Sequence, residues 1–126
     1  MKRYVLLLAY EPGGWEDRTA EEQQGFFEAH DAFEAFVAQH GQRLSSAALG
    51  DADVATTVRH ADGAADGEVT VSDGPFVETT EIVGGYYDVE LPDLDHAIAA
   101  AKLLPPSYAV EVRPTVVIEG YEQPPA

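Results

Sequence analysis

Apolar positions along this chain recur in two rhythms, one of period two and one near 3.6, and these predict most of its elements. Lys2 to Tyr10 reads as a strand, with Arg3, Val5, Leu7 and Ala9 on one face and Tyr4, Leu6, Leu8 and Tyr10 on the other. Both faces are largely apolar, which is the pattern of a central strand covered on both sides. Glu11 to Arg18 is a loop punctuated by Pro12-Gly13-Gly14. Thr19 then offers an N-cap, and Glu22 three residues on completes a capping box. The helix it opens runs to about Gln39, with Gly41 as the stop. Phe26, His30, Phe33 and Val37 recur at helical spacing and form one stripe, widened by Phe36 and His40. Glu28, Asp31 and Glu34 point away from it.

Shorter segments follow. Gln42 to Leu49 reads as a strand of small residues, and Gly50 to Asp53 as a turn. Val54 to His60 alternates as a strand, Ala61 to Gly67 is a hairpin loop, and Glu68 to Ser72 returns. Val83 to Leu91 is a further strand, with Val83, Gly85, Tyr87, Val89 and Leu91 on its apolar face and Tyr86, Asp88 and Glu90 opposite. Asp93 caps a second helix from Leu94 to about Leu104, whose inward positions are Leu94, Ile98, Ala101 and Leu104. Pro105-Pro106 ends it. Residues 108 to 113 form the last strand, with Tyr108, Val110 and Val112 on one face and Ala109, Glu111 and Arg113 on the other. The tail from Glu119, with Pro124-Pro125, either packs across a partner or stays loose. This order suits an α+β sandwich, both helices lying on one face of a mainly antiparallel sheet. The opposite sheet face combines Tyr86, Asp88, Glu90, Glu111 and Arg113 with apolar patches of the first strand. A face of that kind meets another surface.

Composition narrows the function classes. The 126 residues fit one domain, 1–126, with 45% hydrophobic content. With 23 acidic and 7 basic residues the net charge is −16, which repels phosphate backbones and anionic bilayers and so argues against nucleic-acid and membrane partners. No apolar run is long enough to span a membrane. Met1-Lys2-Arg3 followed by apolar residues fits a first strand better than a signal peptide, so a cytoplasmic location is expected. Cysteine is absent, which removes disulfides, thiolate catalysis and zinc–thiolate sites. His30, His40, His60 and His96 lack metal-ligand spacing, so neither a metal nor a cofactor is expected. Asp51-x-Asp53 lacks the later ligands of a calcium loop, and Gly13-Gly14 lacks the spacing of a phosphate loop. No serine lies in a nucleophile-elbow word.

The most distinctive stretch is Ser72-Asp73-Gly74-Pro75-Phe76-Val77-Glu78. Pro75 has no N–H for a ladder, so the strand must stop there, and Gly74 before it is pushed toward extended conformations. Asp73, at the strand end, can reach a pocket or simply close an Asx-turn. The chain also carries Lys2 to Ala9, the helix with His30, Gly84-Gly85-Tyr86-Tyr87, Leu94-Asp95-His96-Ala97 and Glu111-Val112-Arg113-Pro114. In these words and their order it resembles the DGPF branch of the YCII-related proteins, small bacterial proteins. The resemblance implies a ferredoxin-like sandwich of the dimeric α/β-barrel type, in which two sheets pack face to face as a homodimer. It implies little about activity. Members often carry lysine where this chain has Thr80, so a cation's role there is lost.

His30 is the foremost titratable candidate, either a neutral histidine on a helix face or a general acid/base. The resembling group has a proposed histidine–aspartate pair, and Asp73 is the candidate partner. Phe76 is a ring-packing or loop-anchoring residue, and Glu78 a second carboxylate or a solvated side chain. Tyr86 and Tyr87 alternate faces, so only one is expected in any given pocket. Arg113 either binds an anionic ligand or pairs across a dimer with Glu111. Two functions follow as expectations. One is a cofactor-independent lyase or isomerase acting on a small organic substrate through His30 and Asp73. The other is a non-catalytic ligand-binding or regulatory dimer, since genes of the resembling branch often neighbour sigma-factor genes.

Overall fold

The computed structural model of the chain describes residues 1–122, so the Pro124-Pro125 end of the tail lies outside the described residues. In chain order the elements are β1 (Lys2–Tyr10), α1 (Ala20–His40), β2 (Gln42–Ala48), β3 (Thr56–His60), β4 (Val69–Asp73), β5 (Ile82–Leu91), α2 (Leu94–Ala101) and β6 (Ala109–Pro114). Four strands form an antiparallel sheet in the order β2-β5-β1-β6, which with the two helices is a ferredoxin-like α+β arrangement. β1 and β5 are the interior strands. β3 and β4 pair with each other as the hairpin the sequence implies, but as a separate two-stranded sheet. Its valines find no helix to cover them, and Val58 and Val71, directly opposite each other, stay exposed.

One face of the sheet carries the core. Tyr4, Leu6 and Leu8 of β1 and Tyr87, Val89 and Leu91 of β5 are buried on that face, with Tyr4 opposite Val89 and Leu6 opposite Tyr87. They pack against Phe33 and Val37 of α1, and Ala97 and Ala100 of α2. Thr19 caps α1 as its sequence implies: the Glu22 N–H donates to Thr19 Oγ1 at 3.1 Å, and Glu22 Oε1 accepts from the Thr19 N–H at 3.4 Å. Asp93 does the same for α2, accepting from the His96 N–H at 2.9 Å.

The inward face of α2 differs from the sequence reading. Leu94 and Ile98 are exposed, whereas Ala97 and Ala100 are fully buried. The helix is only eight residues long and ends at Ala101. Small residues let its backbone lie close on the sheet, and the tight turn after it turns Leu104 into the core. A second difference is at Val83. The β1–β5 register steps from Leu8↔Gly85 to Ala9↔Val83, leaving Gly84 as an extra residue. This bulge swaps the faces of what precedes it, so Val83 moves to the uncovered side and is exposed.

The uncovered face is not plainly polar. Asp88 is buried to 8% exposure because Arg3 lies across it, Nε at 2.9 Å from Oδ1 and Nη2 at 2.6 Å from Oδ2. A two-pronged guanidinium–carboxylate pair of this geometry is the stronger kind.

The junction of α1 with the sheet rests on Gly41. A Cβ there would stand 1.8 Å from the Glu90 carbonyl oxygen on β5. Its φ of −170° is open to any residue, so proximity and not conformation demands glycine. Gly41→Ala is therefore expected to cost about 1–3 kcal/mol through overpacking. Gly25→Ala, in the same helix with nothing within 4 Å, is expected to stabilise by up to about 1 kcal/mol. Urea unfolding midpoints moving in opposite directions will bear this out; midpoints moving together would contradict the close approach.

Candidate functional site

α1 carries His30 over the sheet where its apolar stripe passes above β1. Tyr87 stands on β5 and Tyr108 just ahead of β6, the strands on either side of β1. Both point to the core face, and the imidazole bridges them. Nδ1 lies 2.8 Å from the Tyr87 hydroxyl and Nε2 lies 3.0 Å from the Tyr108 hydroxyl. Phe33 packs on Tyr87 at 4.3 Å between ring centres, and Phe26 on His30 at 5.1 Å, which fixes the rings in place.

Proton counting decides what this triad offers. A neutral imidazole has one N–H and one lone pair. One tyrosine must therefore donate to His30 while the other accepts from it. The accepting tyrosine keeps its own O–H for a different partner. Either tautomer leaves one phenolic donor free, backed by a relay of two further hydrogen bonds.

The electrostatics keep all three groups neutral near pH 7. Burial lowers the His30 pKa below its ordinary value, opposed by the negative charges of Glu34 and Asp31. Burial likewise pushes Tyr87 and Tyr108 up to about 12. The unit is thus a donor–acceptor relay, not an ion pair.

The triad opens on a cleft of about 1100 Å³. Its walls are the loop after β1, the first half of α1, and the adjoining ends of β1, β2 and β5. Trp15 packs edge-on against Phe26 and Phe27, at 5.1 and 5.6 Å between ring centres. The loop that presents Trp15 is tied down at its carbonyl, which accepts from the Arg18 N–H at 3.2 Å and from Gln23 Nε2 at 3.0 Å. Tyr10 packs beside Tyr108 at 5.9 Å. The bulge at Gly84 makes room for it, since a Cβ there would lie 2.0 Å from Tyr10 Cε1.

Of the residues singled out from sequence, His30 and Tyr86 line this cleft. Tyr87 lines it too, contrary to the expectation that only one of the adjacent tyrosines could. The cleft wraps the end of the sheet and so meets residues of both faces. Asp73, Phe76, Glu78 and Arg113 lie outside its lining. Asp73 is exposed at the end of β4, so within the chain it does not meet His30, whose two nitrogens are taken by tyrosines. The Asp73–Phe76 word instead closes the hairpin. The Gly74 N–H donates to the Ala55 carbonyl at 2.7 Å, Thr57 Oγ1 donates to the Gly74 carbonyl at 2.7 Å, and Arg59 Nη2 donates to the Phe76 carbonyl at 2.8 Å. Gly74 takes a φ of +97°, not the expected extended shape. Lacking a Cβ, it turns the chain by a route closed to other residues. Arg113 lies on the uncovered sheet face, 3.7 Å from Glu111 of its own strand.

The residues missed were Tyr108, Trp15 and Arg18. The signal for Tyr108 was there: a tyrosine on a core-facing position needs a partner for its hydroxyl, and His30 faces the same core. The His40 and His96 rings lie 5.2 Å apart between centres and are tilted at 56°, with His96 Nδ1 already 2.7 Å from Asp93 Oδ1. Among the described residues, no group of three or more histidine or acidic side chains could hold a metal ion.

A family model described as the YCII-related domain matches residues 2–119. An uncharacterized protein of Rhizobium meliloti (strain 1021) is 38% identical over 74 residues, covering 56% of this chain and 56% of the relative. The chain thus spans little more than half of that relative's length.

A lowered folded-state pKa has a definite consequence for stability. The unfolded chain binds the proton more readily, so His30 favours the fold above its ordinary pKa near 6.5 and loses that contribution as pH falls through the folded value. The His30 ring is expected to titrate below 6.5 by NMR. Glu34→Gln will move it lower still, because it removes a charge that favours the imidazolium. Asp73→Asn will leave it in place; a downward shift on that substitution would restore the histidine–aspartate pair.

Proposed function

We propose, from the premise that this chain belongs to the YCII-related family, that its cleft is a cofactor-independent acid–base site of the isomerase or lyase kind. The substrate class is a small organic molecule with an enolisable carbon. The observation that carries this reading is the Tyr87–His30–Tyr108 relay on the wall of an aromatic cleft. The free phenolic O–H can donate to a carbonyl oxygen and stabilise the enol or enolate that forms when a neighbouring C–H bond is broken. The proton leaving carbon goes to the oxygen of the tyrosine that donates to His30, and that tyrosine's own hydrogen passes to the ring. The opposite ring N–H passes to the other tyrosine as its phenolic hydrogen moves to the carbonyl oxygen, so the enol forms with His30 left in its other tautomer. With a pKa of about 12 the phenol stays protonated at neutral pH and so remains a hydrogen-bond donor. Asp73 has no part in this chemistry within one chain.

A second reading is a non-catalytic ligand-binding or regulatory protein. One observation favours it: both His30 nitrogens already have partners, as in a purely structural core histidine. In either case we propose a homodimer, cytoplasmic, joined through the uncovered sheet face. Val5, Leu7 and Tyr86 are already half-buried there, and Arg3 and Asp88 neutralise each other. Light scattering at micromolar concentration is expected to give twice the chain mass; a monomer would count against that face. Among the described residues no helix is long and apolar enough to cross a membrane.

Deuterium exchange separates the two functions. A panel of small 2-keto acids and unsaturated lactones is incubated with the protein in D₂O and followed by proton NMR. The acid–base reading expects loss of a C–H signal next to a carbonyl for at least one compound. His30→Phe and Tyr108→Phe are each expected to slow that loss by about 10²-fold or more. Binding without exchange across the panel would favour the second reading.

A further inference from the structure

With His30 neutral, Arg18 is the one cation among the described residues that line the cleft. Its guanidinium carbon lies 5.7 Å from the Trp15 ring centre and 5.9 Å from that of Phe26. The ion pairs of Arg3, Arg43 and Arg113 are with Asp88, Glu34 and Glu111; among the described residues Arg18 has none. Arg59 also lacks a carboxylate but donates to the Phe76 carbonyl, whereas the Arg18 guanidinium has no hydrogen-bond partner among the described residues. Glu11, Glu16, Asp17 and Asp51 line the same cleft and yet do not pair with it.

Position gives this cation its use. His30 and Tyr108 lie 5.1 and 5.6 Å from the Phe26 ring centre, and Arg18 sits over the same ring. Arg18 is also near enough to Tyr108 for its charge to oppose the rise of that hydroxyl's pKa. The anchor and the relay are therefore neighbours around one phenyl ring. A guanidinium held over aromatic faces keeps its in-plane N–H donors available for a carboxylate. The mutually edge-packed rings of Trp15, Phe26 and Phe27 offer flat apolar surface to a planar molecule.

We propose that the cleft selects planar carboxylate monoanions, an aromatic or conjugated acid, with Arg18 as the anchor for the carboxylate. The acidic lining favours a single negative charge: one guanidinium can balance one carboxylate, whereas the four carboxylates repel a second charge. The assignment rests on the cleft being the working site, whether or not it performs catalysis. Anchoring at Arg18 would direct the far end of the ligand toward the His30 relay.

Binding of named probes tests it apart from turnover. Benzoate, its neutral isostere benzamide and the dianion phthalate are titrated into the protein, and the Trp15 and His30 ring signals are followed by NMR. Benzoate is expected to bind at least about tenfold tighter than benzamide, and tighter than phthalate. Arg18→Gln, with its fold checked by circular dichroism, is expected to abolish the preference for benzoate over benzamide. Arg18→Lys is expected to keep part of it. Equal affinities for benzoate and benzamide, tighter binding of phthalate, no benzoate binding at about 10 mM, or an unchanged preference in Arg18→Gln would each overturn the proposal. If the preference holds while the deuterium-exchange panel is silent, the anchor stands and the catalytic reading falls.

Discussion

One imidazole held between two phenols organises this molecule. His30 reaches across β1 to Tyr87 on one side and Tyr108 on the other, and no other side-chain hydrogen bond of α1 reaches both flanks of that strand among the described residues. Left unpaired, any of these three polar groups would carry a desolvation cost of about 1–3 kcal/mol. Together they satisfy one another and fix α1 in rotation over the sheet. The same satisfaction leaves one proton over, because three donors meet only two bonds. A structural device and a chemical one are therefore the same set of atoms.

Glycines set the approach distances on which that bridge depends. Gly41 lets the end of α1 press on the β5 backbone, and Gly84 bulges β5 beside Tyr10. The bulge has a further effect: it opens the end of the sheet, so the cleft is bordered by Tyr86 as well as Tyr87. Trp15 and Arg18 then close the cleft from the loop after β1, held by Gln23 at the start of the helix. The core on one side of the sheet and the site at its end thus share Tyr87, which packs on Phe33 and bonds to His30.

Much of this was legible in the chain. Period-two alternation located β1, β5 and β6 and assigned most of their faces, because a one-residue error would have put Tyr4, Leu6 and Leu8 of β1 outside. The capping box at Thr19 and the stripe of Phe33 and Val37 located α1. Alternation could not foresee the bulge at Gly84, since one extra residue inverts the faces without changing composition. Helical spacing misplaced the inner face of α2 by about one position, because alanines gave way to leucine and isoleucine in the reading, and close backbone approach favours the alanines. His30 was legible as a residue of interest, but its partners were not. Asp73 drew attention through its place in a distinctive word, yet that word closes a hairpin far along the chain from the helix. Tyrosines, read as apolar, concealed the hydroxyls that complete the site.

The protonation of His30 at neutral pH tests the account most directly. A long-range proton–nitrogen correlation spectrum of the ring at pH 7 distinguishes a protonated nitrogen from a bare one. The relay requires one of each, with both signals perturbed when Tyr87 or Tyr108 is changed to phenylalanine. Two protonated nitrogens at that pH would mean a charged imidazolium with no lone pair for a tyrosine, and the relay would not exist.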